Sequence, residues 1–121
     1  MTDFKKYKMF INGEWINSES NKTFETLNPE NNKPWATVPE ANAKDVDKAV
    51  KSAQKAFEGE WSKLLPRERG KFLRAIGDKL RENAEHLGKI ETLDTGKLYR
   101  ETYKQANYIA EYYDYYAGLA D

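Results

Sequence analysis

Cysteine is absent from the 121 residues. That excludes disulfide staples and thiolate metal sites, and it suits a chain held in a reducing compartment, so a cytoplasmic protein is expected. An excess of either charge is also absent: 20 Lys and Arg face 20 Asp and Glu. A nucleic-acid binder needs a basic face for phosphates, so that class is not expected. No apolar run approaches the roughly 18 residues of a membrane-spanning helix. The start, MTDFKKYKMFINGEW, lacks the apolar stretch of a secretory signal. There is one histidine, and there are no internal repeats and no low-complexity tract.

What is present is 33% charged and 39% apolar, with 8 Tyr, 5 Phe and 3 Trp. Aromatic rings can each bury about 150–250 Å², so a core is possible but thin. The length fits one domain. Residues 9–16, MFINGEWI, read as a hairpin turning at Asn12-Gly13, because both centres of a type I′ turn need positive φ. The polar run 17–22 is a turn. Residues 23–28, TFETLN, and 35–38, WATV, read as two further strands, separated by the loop around Asn28-Pro29 and closed by Pro39. The chain then turns helical. Asn42 reads as an N-cap with Asp45 complementing the first-turn amides, and Val46, Ala49, Val50, Ala53 and Phe57 form one apolar face. Gly59 ends that helix and Pro66 opens the next, with Phe72, Leu73, Ile76 and Leu80 as its expected buried stripe. Asn83 restarts a shorter helix carrying Leu87, Ile90 and Leu93, and Gly96 sits at its C′ position.

The last helix runs from about Leu98 to the end. Tyr99, Tyr103, Ala106, Ala110, Tyr113 and Ala117 mark one face, and Tyr108, Tyr112, Tyr115 and Leu119 another. A helix apolar on more than one face asks to be buried on more than one face. Too few elements precede it to do so, and the chain is therefore expected to be a piece of a larger fold.

The blocks FINGEW at 10–15, TFETLNPENNKPWATVPEA at 23–41, DVDKAVKSAQKAFE at 45–58, Trp61, LPRERGKFLRAIGDKLREN at 65–83, ETLDTGK at 91–97 and YYAGLAD at 115–121 resemble, in order and spacing, the N-terminal quarter of the aldehyde dehydrogenase superfamily. The resemblance covers the chain after its first nine residues, and it rests on the series of blocks, since none decides alone. It implies an α/β, Rossmann-like parent fold, of which residues 1–121 are an incomplete N-terminal part of the NAD(P)-binding domain. The segment itself is then mostly helical with a small N-terminal antiparallel β part. It further implies oxidation of an aldehyde substrate to an acid with NAD or NADP as cofactor, by a cysteine thiolate, a glutamate base and an oxyanion hole, in a homodimer or homotetramer. The family's nucleophile, base and glycine-rich cofactor loop come later than this segment. No catalytic and no cofactor-binding residue is therefore assigned, and the segment alone is expected to be inactive.

The resemblance carries over one candidate site, for Na⁺ or K⁺. Its matching positions are Thr26, the Leu27 carbonyl and Asp94. One carboxylate with neutral oxygens suits a single hard positive charge. The competing structural reading makes Thr26 an ordinary strand residue and pairs Asp94 with Lys97 or a backbone amide. His86 lacks companions at ligand spacing and reads as a first-turn surface residue. Lys5 to Lys8 read as a solvated arm rather than a membrane anchor. Glu91 and Asp94, three apart, read as a solvated helix face rather than an acid–base pair, and the tyrosine-rich end as core rather than a base-stacking platform.

Two alternatives of other classes stand beside the dehydrogenase fragment. One is a free-standing helical interaction or assembly module derived from that fold. The other is a partner that docks on intact family members through the tyrosine helix. The aldehyde and the choice between NAD and NADP are not legible in these residues, because the groups that select them lie elsewhere in the family.

Overall fold

The computed structural model describes residues 5–120; Asp121, in the last of the resembling blocks, lies outside them. The chain divides after Ser62 into two compact units.

Among the described residues the first unit holds five strands and a helix: β1 (Lys5–Lys6), β2 (Met9–Ile11), β3 (Glu14–Ile16), β4 (Thr23–Asn28), β5 (Lys33–Pro39) and α1 (Ala43–Glu58). Strands β2 and β3 form the expected hairpin, with Asn12 and Gly13 at φ 56° and 81°. Strands β4 and β5 pair antiparallel over their length. The basic stretch is not a loose arm: Lys5 and Lys6 run parallel to Ala36 and Thr37, giving the order β1–β5–β4. Backbone pairing ignores side-chain charge, so the two lysines can stay solvated while their amides join a sheet.

Helix α1 begins where the sequence places it. The Asn42 side chain accepts from the Lys44 and Asp45 amides at 2.9 and 3.1 Å. The Asp45 carboxylate accepts in return from the Asn42 amide at 3.0 Å, which completes a capping box. Asp45 also reaches outside its helix, to the Ser18 hydroxyl at 2.9 Å and the Glu19 amide at 3.1 Å. One buried carboxylate thus ties the turn after β3 to the start of α1. The apolar face of α1 is present but uncovered: Val50 and Phe57 remain 61% and 66% exposed.

A one-turn helix, α2 (Glu60–Lys63), straddles the division between the units. The second unit holds α3 (Pro66–Glu82), α4 (Ala84–Thr95) and α5 (Tyr99–Leu119). Pro66 takes the first helical position and Glu68 accepts from the Leu65 amide at 2.8 Å. Asn83 joins α3 to α4 but caps backwards, donating to the Lys79 carbonyl at 2.8 Å. Gly96 closes α4 at φ 75°.

The expected buried stripe of α3 is corrected here, and that of α5 is corrected at its tyrosines while its alanines are buried as read. In α3 the buried residues are Gly70 and Gly77, while Phe72 and Ile76 are exposed. In α5 they are Thr102, Ala106, Ala110 and Ala117, and Tyr99 and Tyr103 stand partly in solvent. The helices meet through their smallest side chains, which brings backbone close to backbone and leaves the large side chains flanking the seam. A methyl added at Gly70 would lie 2.8 Å from the Ala117 carbonyl oxygen, and one at Gly88 of α4 would lie 2.9 Å from the Tyr103 amide nitrogen. Thr102, fully buried, satisfies its hydroxyl inside the seam. Its proton serves the Gly88 carbonyl at 2.9 Å or the Tyr99 carbonyl at 3.0 Å, and Thr92 Oγ1 lies 2.9 Å away. Arg81 of α3 pairs with Asp114 of α5 and, at 3.3 Å, with Asp78.

Candidate functional site

Thr26 and Leu27 stand on β4 where its pairing with β5 slips. Thr26 faces Ala36 but Leu27 faces Pro34, so Trp35 is an extra residue on β5. Such a bulge bends the strand and re-aims its groups. Proline has no amide proton, so the residue opposite Leu27 cannot engage the Leu27 carbonyl. The following Asn28 is buried and shapes the loop. Its side chain accepts from the Glu30 amide at 2.9 Å, and its carbonyl accepts from the Asn32 amide at 2.7 Å. The TLN stretch is therefore held at its far end by a turn and is irregular in the middle.

Asp94 lies in the last turn of α4. That position is electrostatically adverse for a carboxylate, because the final carbonyls of a helix carry partial negative charge. It favours any cation that comes there. Two neighbouring carbonyls are already used: Thr92 accepts from the Gly96 amide at 2.9 Å, and Glu91 accepts from the Thr95 hydroxyl at 2.7 Å. Lys97 ion-pairs with Glu91 at 2.7 Å, which removes Glu91 as half of a carboxylate pair. Thr26 and Leu27 are adjacent in the first unit and Asp94 belongs to the second. His86 is exposed in the first turn of α4, and among the described residues no group of three or more His, Cys, Asp or Glu assembles.

A dinucleotide cofactor is a different matter. Its phosphates need a glycine-rich strand-to-helix turn with open first-turn amides. Among the described residues the strand-to-helix passage is β5 to α1, and there Asn42 occupies two of the amides and Asp45 adds a negative charge. The Asp45 carboxyl is held below its ordinary pKa by the Asn42 amide first, against the cost of burial, with the Glu19 amide and Ser18 hydroxyl adding to it. A pyrophosphate is therefore repelled from this helix start.

Comparison with known proteins decides the family. The family model described as "Aldehyde dehydrogenase family" matches residues 15–121. The chain belongs to the aldehyde dehydrogenase family. Within it, a (Z)-2-((N-methylformamido)methylene)-5-hydroxybutyrolactone dehydrogenase of Acinetobacter baylyi is 42% identical over 118 residues, which is 97% of this chain and 24% of that protein. The betaine aldehyde dehydrogenase of Bacillus subtilis is 43% identical over 114 residues, 93% of this chain and 23% of the relative. Among solved structures, the betaine aldehyde dehydrogenase of Staphylococcus aureus in complex with NAD⁺ superposes with a TM-score of 0.90 at 43% identity, covering 94% of this chain and 23% of that one. The chain thus spans about a quarter of the length of the aldehyde dehydrogenases it matches. The α/β family fold and the mostly helical character of this segment agree with the sequence reading.

The sequence reading placed Ala106, Ala110 and Ala117 on one face of α5 but missed Thr102 and the glycines of α3 and α4 in the same seam. Its signal was available: Gly70, Gly77 and Ala84 recur every seven residues, as helix faces do, and Ala106 and Ala110 follow Thr102 at steps of four. The Ser18–Asp45 tie had no local signal, since 27 residues separate the partners.

Proposed function

We propose that this chain is the N-terminal part of the NAD(P)-binding domain of an NAD(P)⁺-dependent aldehyde dehydrogenase, and that it carries out no oxidation by itself. The observation that carries the reading is the match of the family model to residues 15–121 while the relatives run about four times as long. Under this reading the thiolate, the general base and the cofactor loop belong to the remaining polypeptide, and residues 1–121 support them. The parent acts on an aldehyde in the cytoplasm as a homodimer or homotetramer, with NAD⁺ or NADP⁺ accepting the hydride. That no described helix is long and apolar enough to cross a membrane is compatible with it.

Under the same reading Thr26, the Leu27 carbonyl and Asp94 contribute to a Na⁺ or K⁺ site of the complete protein. The bulge that re-aims the strand at Leu27 and the partial negative charge of the helix C-terminus at Asp94 support that role. Two or three oxygens are too few to replace a cation's hydration, so this segment holds the ion only together with further ligands. The test of the whole reading is NAD(P)H formation from an aldehyde by purified residues 1–121, freed of host enzymes. None is expected, and turnover above background overturns it.

A further inference from the structure

We propose that the outward face of α5 docks a second copy of this chain, the two helices lying antiparallel with Tyr108 opposite Leu119 and Tyr112 opposite Tyr115 of the other copy. One side of α5 is buried at Thr102, Ala106, Ala110 and Ala117. On the opposite side Glu101, Gln105, Tyr108, Tyr112, Tyr115 and Leu119 follow one another at steps of four and three, the spacing at which two helices interlock along a shared stripe. From Tyr108 onward the stripe is apolar and open, with exposures from 48% at Tyr112 to 62% at Tyr115 and Leu119. A shallow cleft of about 400 Å³ opens among Tyr108, Glu111, Tyr112, Tyr115 and Tyr116 and leaves room for the side chains of a facing helix.

Charge selects the kind of partner and then its register. Between Tyr108 and Leu119 the only charged residues are Glu111 and Asp114, which disfavours nucleic acid and anionic membrane alike. Two copies in parallel register would set Glu101 against itself within the stripe and align their helix dipoles. An antiparallel pair centred between Tyr113 and Asp114 avoids both. Glu101 and Gln105 then fall outside the overlap, every facing layer is tyrosine or leucine, and Ile109 flanks Tyr116 of the other copy. Glu111 meets Gly118, which has no side chain to repel it. Centring the pair on Ala110 instead would bring the two Glu111 carboxylates together. The rings are also ordered beforehand, which lowers the cost of association. The Tyr108 and Tyr112 hydroxyls share a hydrogen bond at 2.9 Å with their rings edge-on at 5.0 Å, and Tyr115 and Tyr116 pack edge-on at 5.3 Å. A whole aromatic ring buries about 150–250 Å², so four half-open tyrosines and Leu119 offer roughly 500 Å² per copy. The pair then buries about 1,000 Å², the lower limit of a specific interface, which sets a dimer that dissociates on dilution. In the complete dehydrogenase proposed above the same face is open to the remaining polypeptide, so the pairing belongs to the 121-residue chain by itself.

Sedimentation equilibrium of the 121-residue chain over a concentration series tests the pairing, and its result is independent of whether the chain forms NAD(P)H. A reversible monomer–dimer equilibrium is expected. Tyr112→Glu combined with Tyr115→Glu puts carboxylates into facing layers and should weaken the dimer at least about tenfold, since buried unpaired charge is costly. Ile76→Gln, on the groove between α3 and α4, should leave it unchanged. Far-UV circular dichroism establishes that each variant is folded like the parent. Orientation is read by disulfide cross-linking with oxidised glutathione, for which the absence of cysteine gives a clean background. A mixture of Tyr108→Cys and Leu119→Cys chains should form mixed dimers. Neither variant should cross-link to itself, because each position's own copy sits 11 residues away, roughly 16 Å along the axis and beyond the ~7 Å reach of a disulfide. A chain that stays monomeric, or aggregates without a defined dimer, overturns the proposal. So does a dimer that survives the two glutamates, a dimer that Ile76→Gln weakens equally, or self-cross-linking of either cysteine variant as fast as the mixture.

Discussion

Asp45 ties the turn after β3 to the start of α1 through its contacts with Ser18, Glu19 and Asn42, and this makes it a pH-sensitive point. Its folded pKa lies below the ordinary carboxylate value of about 3.9, held there first by the Asn42 amide. Glu19 is lowered likewise, first by Lys44 and then by Asn42. A group with a depressed folded pKa binds fewer protons folded than unfolded. Its contribution is therefore whole above the unfolded value and is lost as pH falls from there through the folded one. Thermal melts from pH 6 to pH 2 should show a steeper loss below about pH 4 in the parent chain than in Asp45→Asn, which has no proton to take up. Equal acid slopes would remove Asp45 from this role. The cap at Asn42 was legible because its partners lie two and three residues away. The Ser18 contact was not, because only the tertiary fold brings it to Asp45.

At Asp94 the prediction concerns the cation. In the complete protein, melting temperatures in Na⁺ or K⁺ should exceed those in a large organic cation, and Asp94→Ala should abolish most of that difference. Ligand-linked stability reaches about 2.7 kcal/mol at a hundred times the dissociation constant. A parent indifferent to the cation, or a mutant that keeps the whole effect, would leave Asp94 as a helix-end residue alone.

Among elements, the helices show where reading by hydrophobicity goes astray. Element type and order followed from periodicity and caps: the Asn12-Gly13 hairpin, Pro66 at a helix start and Gly96 at a helix end all stand as read. The buried faces did so only in part: Ala106, Ala110 and Ala117 are buried on the face as read, but the stripes of α3 and α4 were scored on large side chains, whereas the three helices pack through glycine, alanine and one threonine. Close approach then sets opposite signs for one substitution at two glycines. Gly70→Ala places its methyl 2.8 Å from a backbone oxygen and should cost about 1–3 kcal/mol, as overpacking does. Gly118→Ala, in α5 and with nothing within 4 Å of its methyl, should stabilise by up to about 1 kcal/mol through helix propensity. Chemical denaturation of the two variants checks the pair, and a neutral Gly70→Ala would contradict the seam.

Over the whole molecule, the apolar faces are what the family relationship explains. Tyr108, Tyr112, Tyr115, Tyr116 and Leu119 form an exposed apolar stretch of α5, and Phe72, Ile76 and Leu87 lie on a groove of about 460 Å³ in the second unit. Patches beyond a few hundred Å² are unusual on soluble monomers and drive association. Isolated residues 1–121 should therefore oligomerise in sedimentation and bind a hydrophobic dye. A monodisperse monomer with a cooperative melt and no dye binding would favour a free-standing module.

The central claim is that these residues are a working part of a dehydrogenase and not a catalyst alone. The most direct measurement compares the chain with a chimera in which it replaces the matching stretch of the Bacillus subtilis betaine aldehyde dehydrogenase, 43% identical over 114 residues. NAD(P)H formation from betaine aldehyde is followed in both. The account predicts turnover by the chimera and none by the chain. Turnover by the chain alone, or a folded chimera that turns over nothing, would contradict it.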